Sequence, residues 1–303
     1  MDQPLRLPTA VTIREVGPRD GLQAERPLSV EDRVRFLDAV SRTGVRKIEA
    51  VSFVSARAVP AMAEPAEVWA RSGRVDGVAY SALVPNRRGA EAAAEAGGFA
   101  SMQAFLAASD GYNGMNLGKT VEESVADVLA VLEIGADAEL PVEVTVSAAF
   151  GDPYEGRVEP ETVLDLAARM LGAGAAGISL GDTTGVATPT AVWDLAGRFF
   201  HRFPDTRLNL HFHDTRGTAI ANVVAAMQAG VTEFDASAGG LGGSPFAPDA
   251  GGNVPTEDLA WLLADMEVKT GVDLEAAIEA AKLVGELVGH AVPGHLVVAG
   301  LPR

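Results

Sequence analysis

Eight times along this 303-residue chain, an apolar, β-rich run is followed by an Ala-rich stretch with helical spacing. That alternation restricts the chain to parallel-sheet architectures, because a helix between two strands carries the chain back to the same end of the sheet. Strands are predicted near 11–16, 46–52, 78–84, 101–107, 142–148, 176–180, 207–213 and 233–237. Helices are predicted near 29–43, 60–72, 87–97, 120–138, 159–174, 188–203, 216–229 and 256–267. Gly44, Gly97, Gly174 and Gly230 stand where helices should stop. Eight units of this size predict an α/β fold of the (β/α)8 TIM-barrel type, which typically takes about 250 residues. An open doubly wound sheet is the alternative. It fits less well, because no Gly-x-Gly-x-x-Gly opens the first helix after strand one. Residues 273–289 predict one more helix, so 271–303 forms a short C-terminal extension packed on the barrel. No linker-like or low-complexity segment divides the chain, and 1–303 is expected to form a single domain.

Composition narrows the partners. The net charge is -17, which argues against nucleic acid or an anionic membrane surface. No apolar run approaches the length of a membrane span, and the start MDQPLRLPTA lacks a signal pattern, so the cytoplasm is the expected location. Without cysteine there is no disulfide, thiolate metal site or cysteine nucleophile.

In a barrel of this kind the reacting groups sit where strands end and the following loops begin. Strand seven, in LNLHFHDTRG (208–217), alternates Leu208, Leu210 and Phe212 with Asn209, His211 and His213. Side chains two apart on a strand share a face, so His211 and His213 project together. Strand one ends in Val16-Gly17-Pro18-Arg19-Asp20-Gly21-Leu22-Gln23, and strand two carries Glu49 and Ser52. Strand six ends in Ser179-Leu180-Gly181-Asp182-Thr183, and a Gly-rich loop ending at Asn253 follows strand eight.

Each feature has a plainer reading. Arg19 and Asp20 suit a turn with a surface ion pair, Asp182 suits a helix cap, and the glycines suit a mobile connection. The coincidence of polar groups at one predicted mouth favours a site. Asp20, His211 and His213 offer one carboxylate and two imidazoles, a set that suits Mg²⁺, Mn²⁺ or Zn²⁺. Arg19 adds a fixed positive charge where an oxyanion develops, and a divalent ion beside an arginine stabilises an enolate well.

Seven phrases carry a family resemblance: EVGPRDGLQ (15–23), IEAVSFVS (48–55), PYEG (153–156), ISLGDTTGVATP (178–189), HFHDTRG (211–217), GGLGGSP (239–245) and GNVPTEDL (252–259). Together they run through nearly the whole barrel, and the chain resembles the 3-hydroxy-3-methylglutaryl-CoA lyases. The resemblance implies divalent-metal-dependent cleavage of a 3-hydroxy-3-methylglutaryl-CoA-like thioester to acetyl-CoA and acetoacetate, in a homodimer. It implies metal ligands at Asp20, His211, His213 and Asn253. It sets Arg19 by the thioester carbonyl and Glu49 as the group orienting Arg19. Gln23, Ser52, Ser179, Asp182 and Thr183 would line the acyl pocket, with Asp182 facing the C3 hydroxyl.

The sequence departs from the pattern once. The glycine loop of characterised members reads Gly-Gly-Cys-Pro, with the cysteine taking part in proton transfer, whereas this chain has Ser244. A thiol has a pKa of about 8.5, and a serine hydroxyl is a far weaker acid. Slow turnover of the ordinary substrate, a different 3-hydroxyacyl-CoA, or another proton donor is therefore expected. Two alternatives stand beside the lyase: an acetyl-CoA-dependent 2-oxo acid synthase of the same superfamily, and a metal-binding barrel without turnover. The loop form GLGGSP and the short stretch after the eighth unit favour the lyase.

Overall fold

β1 (Thr12–Glu15) pairs in parallel with β2 (Lys47–Ser52) on one side and β8 (Glu233–Ala236) on the other, and the second pairing closes the sheet. The computed structural model describes residues 5–243 and 251–301. Between β2 and β8 come β3 (Ala79–Leu83), β4 (Ser101–Ala107), β5 (Val142–Ser147), β6 (Gly177–Asp182) and β7 (Leu208–Phe212), each beside its sequence neighbours in a closed eight-stranded barrel. Outside it run α1 (Val30–Ser41), α2 (Pro65–Arg71), α3 (Arg87–Ala96), α4 (Asp110–Leu117), α5 (Val121–Asp137), α6 (Pro160–Gly172), α7 (Pro189–Arg202), α8 (Ala219–Gln228) and α9 (Thr256–Asp265). α10 (Leu274–Val288) and α11 (His295–Ala299) form the C-terminal extension. Among the described residues no helix is long and apolar enough to cross a membrane.

All eight expected strands form, and the differences lie in the connections. α4 was not expected, because DGYNGMNLG has too many glycines for a helical propensity argument. It forms because its first turn finds acceptors. Tyr112 N donates to Asp152 Oδ2 (2.9 Å) and Gly111 N to Glu155 Oε1 (2.5 Å), two carboxylates from the turn after β5 placed at a helix N-terminus. The helix expected over 60–72 is divided into a single turn, Pro60–Met62, and α2, with Glu64 between them in the left-handed region. The helix expected from 216 begins only at Ala219, after a turn at Gly217.

The barrel interior is polar where such barrels are usually filled by branched apolar side chains. Buried Arg14 on β1 donates from Nε and Nη2 to the two oxygens of Asp235 on β8 (2.8 and 2.9 Å) and from Nη1 to Glu143 on β5 (3.0 Å). A guanidinium fork matches one carboxylate with two parallel bonds, so geometry is fixed as well as charge. Gln103 binds Glu143 (3.0 Å) and Asn209 binds Asp235 (2.9 Å), completing a layer across four strands and β8.

The extension buttresses the segments that follow β1 and β8. Arg26 donates to the carbonyls of Leu287 (2.7 Å) and Val288 (3.0 Å) at the end of α10. Gly294 N donates to Gly239 O (2.9 Å), and a side chain at Gly239 would meet Val292 at 3.0 Å.

Candidate active site

Arg19 and Asp20 ride on a π-helical turn, Gly17–Gly21, that directly follows β1. The amides of Arg19, Asp20 and Gly21 all converge on Val16 O at 3.1, 2.7 and 3.1 Å. Such wide turns are rare and recur at functional sites. Here the turn aims both side chains into the barrel mouth. Glu15 pins it from behind: Oε1 accepts from Gly17 N (2.7 Å) and Ala238 N (3.0 Å), while Oε2 accepts from Thr256 Oγ1 (2.7 Å). One buried carboxylate thus ties the ends of β1 and β8 together.

Asp20 meets the two histidines of β7. His211 Nε2 and His213 Nε2 lie 3.1 Å apart, with Asp20 Oδ2 at 3.9 and 3.8 Å. Ligand atoms of the three residues fall within 4.8 Å of one another. Burial alone would push Asp20 up, but Arg19 and the two imidazoles hold it well below the usual carboxylate range. Asn253 donates from Nδ2 to Asp20 Oδ2 (2.7 Å) and to Leu241 O (3.0 Å), and its Oδ1 is buried without a partner. A carboxylate, two facing imidazole nitrogens and an orphaned amide oxygen form a donor set suited to a divalent cation.

His211 is held by a group that the sequence reading did not single out. Its Nδ1 lies 3.0 Å from Asp235 Oδ2, which fixes Nδ1 as the protonated nitrogen and turns Nε2 toward Asp20. Burial opposes the imidazolium, but Asp235 and Asp20 outweigh it and raise the His211 pKa. Burial likewise opposes the Asp235 carboxylate, and Arg14 and His211 overcome it, holding Asp235 well below the ordinary range. The alternation Glu233, Asp235, Ser237 places polar residues on one face of β8, a period-2 signal that could have revealed Asp235.

Arg19 bridges the metal side and β2. Nη1 donates to Asp20 Oδ1 (2.5 Å) and Nη2 to Glu49 Oε2 (3.0 Å). Its Nε sits 2.9 Å from Glu49 Oε1 as an ion pair without hydrogen-bond alignment. Gln23 donates to Asp20 Oδ1 (2.9 Å) and Gly243 O (3.2 Å). A cavity of about 280 Å³ opens over these groups, and Arg19, Asp20, Gln23, Thr183, His211, His213 and Asp235 line it.

The remaining expected residues sit behind that lining. Ser179 Oγ accepts from Asn209 Nδ2 (2.8 Å), and Ser52 Oγ is buried without a hydrogen-bond partner. Asp182 accepts from Val186 N (2.9 Å) and Ala187 N (3.0 Å), one bond to each oxygen, and burial raises its pKa. Its neighbours Gly181 and Thr183 line the cavity. Ser244 lies outside the described residues.

A closed parallel barrel with a cation-binding cluster, an arginine and a cavity at one mouth is an enzyme architecture. A family model described as HMGL-like matches residues 10–284. The hydroxymethylglutaryl-CoA lyase of Bacillus subtilis is 44% identical over 287 residues, covering 94% of this chain and 96% of that protein. The hydroxymethylglutaryl-CoA lyase of Pseudomonas mevalonii is 45% identical over 283 residues, 93% and 94% of the two chains. A solved structure of an HMG-CoA lyase from Acinetobacter baumannii, in complex with coenzyme A and 3-methylmalate, matches with a TM-score of 0.92 at 36% identity, over 96% of this chain and 95% of that one. The chain belongs to the HMG-CoA lyase family and is a carbon–carbon lyase.

Proposed function

We propose that this protein cleaves 3-hydroxy-3-methylglutaryl-CoA, or a close 3-hydroxyacyl-CoA, to acetyl-CoA and a 3-oxo acid. The observation that carries the reading is the Asp20–His211–His213 cluster with Arg19 bonded to its carboxylate inside one cavity. We propose Mg²⁺ or Mn²⁺ as the ion, with Zn²⁺ the less suited choice for a set containing a carboxylate and an amide oxygen. Asp20, His211, His213 and Asn253 would hold it, the Asn253 amide turning its oxygen to the cation. Bound there, a divalent ion supplies Lewis-acid polarisation of substrate oxygens.

The chain's own groups account for the rest. A base takes the proton of the C3 hydroxyl, the C2–C3 bond breaks, and its electron pair moves into the thioester as an enolate. C3 becomes the carbonyl of the 3-oxo acid, and a proton delivered to C2 completes acetyl-CoA. Arg19 stabilises the enolate oxygen, and Glu49 keeps its guanidinium aligned. The resemblance puts Asp182 at the C3 hydroxyl; its turn would have to shift for it to reach there, because its two oxygens accept the amides of Val186 and Ala187 and only its neighbours Gly181 and Thr183 line the cavity. Gln23, Ser52, Ser179 and Thr183 shape the acyl pocket, and Ser244 stands where the proton donor to C2 is expected. We read the whole chain as one lyase domain that works as a homodimer, a state sedimentation would measure.

Incubation of purified protein with 3-hydroxy-3-methylglutaryl-CoA and Mg²⁺ or Mn²⁺ should release acetoacetate, and EDTA should stop it. Release of free coenzyme A from acetyl-CoA plus a 2-oxo acid, without acetoacetate from the first substrate, would replace the lyase by a synthase.

A further inference from the structure

β7 does not stop pairing at the barrel rim. The limb that leads back from the loop after β8 runs antiparallel beside it, with His213 opposite Asn253. Val254 N donates to Phe212 O (3.2 Å) and Asp214 N to Gly252 O (2.8 Å), one bond on either side of that pair. His213 and Asn253 thus form a pair that exchanges no backbone bonds. In antiparallel strands such pairs stand closest, with Cα atoms about 4.5 Å apart and side chains together on one face. The register of this short ladder therefore brings the Asn253 amide to Asp20 beside the two imidazoles. A slip of one residue would turn it to the opposite face.

Past Asn253 the limb is held to the end of β8: Ser237 N donates to Val254 O (3.0 Å) and Thr256 N to Ser237 O (3.1 Å). Ahead of Asn253, among the described residues, it is tied by the Asp214 bond and by one side chain. Thr215 lies opposite Gly251 in the same register, and its Oγ1 accepts from Gly251 N at 2.9 Å. The approach is close. A Cβ on Gly251 would stand 2.8 Å from Thr215 Cα and 3.1 Å from its backbone N, so contact requires glycine there. On its other side Thr215 meets Gly185 of the turn after β6, where a Cβ would collide with the hydroxyl. Exposed Arg216, next in the chain, reaches that β6 turn, donating from Nη1 to Thr184 O (2.9 Å) and Gly185 O (3.0 Å). Neither Thr215 nor Arg216 lines the cavity.

Resting on the metal-site reading above, we propose that Thr215 is a positioning residue, whose hydroxyl pins the register that sets Asn253 beside Asp20, His211 and His213. It touches no ligand atom and acts through the backbone of Gly251 and Gly252. A ladder this short has little else to fix it, since two strands alone are marginally stable.

The test uses Thr215→Val, which keeps the shape and removes the acceptor, and Thr215→Ser, which keeps the acceptor. Mn²⁺ affinity of Thr215→Val should fall about tenfold, the lower end of what groups behind metal ligands typically contribute. Amide hydrogen exchange over 251–254 should quicken with it. Thr215→Ser should stay close to wild type in both measurements. Arg216→Met severs only the contact with the β6 turn and should also leave both as they are. Unchanged Mn²⁺ affinity in Thr215→Val overturns the proposal. A fall in Thr215→Ser or Arg216→Met equal to that in Thr215→Val overturns it too, since packing or a general loosening of the turn after β7 would then be the cause. If Thr215→Val does not fold, Gly251→Ala strains the same contact from the opposite limb and must show the same loss of affinity. If wild type binds no Mn²⁺, the metal reading has failed, and exchange then decides: equal protection of 251–254 in wild type and Thr215→Val overturns the pin.

Discussion

His211 Nδ1 stands 3.0 Å from Asp235 Oδ2, and the same carboxylate takes both arms of the Arg14 guanidinium. The orientation of a metal-site imidazole is therefore set by the ionic layer inside the barrel. Asp235→Asn keeps the shape and removes the charge. Loss of a carboxylate behind a ligating histidine typically weakens metal affinity about 10- to 100-fold. Removing one partner of a buried ion pair costs on the order of 3–5 kcal/mol. Titration with Mn²⁺ should show the first effect and denaturant unfolding the second. Unaltered Mn²⁺ affinity in folded Asp235→Asn protein would show that Asp235 does not tune His211.

Arg19 is preorganised by Asp20 and Glu49 before any substrate arrives. A preorganised charge opposite a developing oxyanion is worth about 3 kcal/mol, or roughly 10²- to 10³-fold in kcat. Arg19→Met should lower kcat by at least that factor and change KM far less. A rise in KM with kcat intact would make Arg19 a substrate-binding residue instead.

Much of this site was readable before the fold was known, because a barrel brings every strand end to one mouth. His211 and His213 followed from period-2 alternation on β7, and Asp20 from its place just past β1. Three features were not readable. The π turn at 17–21 depends on one carbonyl, Val16 O, accepting three amides, and on Glu15, which holds Gly17 N and also binds Ala238 N, 223 residues away from it in sequence. α4 depends on Asp152 and Glu155, which belong to the next β/α connection. Asp235 was passed over because a strand aspartate reads as barrel wall until its partners Arg14 and His211 are known.

Glu257, on the first turn of α9, is buried and accepts from Gly239 N (3.0 Å), while its Oε1 has no hydrogen-bond partner. Burial pushes its pKa from 4.5 to about 8, and Glu15 nearby is raised by burial to about 7. Folded protein thus holds protons that the unfolded chain has released. Their stabilisation is complete below pH 4.5 and is lost as pH rises through 7 and 8. For Glu257 the loss is on the order of 3–5 kcal/mol at most, at 1.36 kcal/mol per unit. Glu257→Gln is neutral at every pH and should flatten this part of the profile. Denaturant unfolding at pH 5.5 and 8.5 measures it, and an equal decline in wild type and variant would mean that Glu257 does not titrate in this window.

Asp152 accepts three backbone N–H groups, from Tyr112, Tyr154 and Glu155. A buried donor left without its acceptor costs about 1–3 kcal/mol. Asp152→Ala should therefore destabilise the protein by at least that amount. It should also speed amide hydrogen exchange over 109–117 more than over β7, because α4 has interior glycines and Asp152 is one of the two carboxylates that hold its first turn. Uniform acceleration across both segments would mean that Asp152 supports the barrel as a whole rather than α4.

Ser244 follows the described base of the loop after β8, where Gly239 and Gly240 adopt positive φ and Gln23 grips Gly243 O at 3.2 Å. The grip ties the loop base to Asp20, since the same Gln23 amide donates to that carboxylate at 2.9 Å. A proton donor on the loop would thus be placed relative to the metal side of the cavity. A serine hydroxyl gives up a proton near neutral pH far less readily than a thiol of pKa about 8.5. General acid–base catalysis typically contributes roughly 10²- to 10⁴-fold. Ser244→Cys should raise kcat on 3-hydroxy-3-methylglutaryl-CoA by at least tenfold, and its pH profile should gain a limb near the thiol pKa that wild type lacks. Iodoacetamide should abolish the gain and leave wild type untouched, since the natural chain has no cysteine. Brisk wild-type turnover with no gain in Ser244→Cys would mean that the proton reaches C2 from a different group. In that case His211 and Asp182 are the groups of the site to replace next.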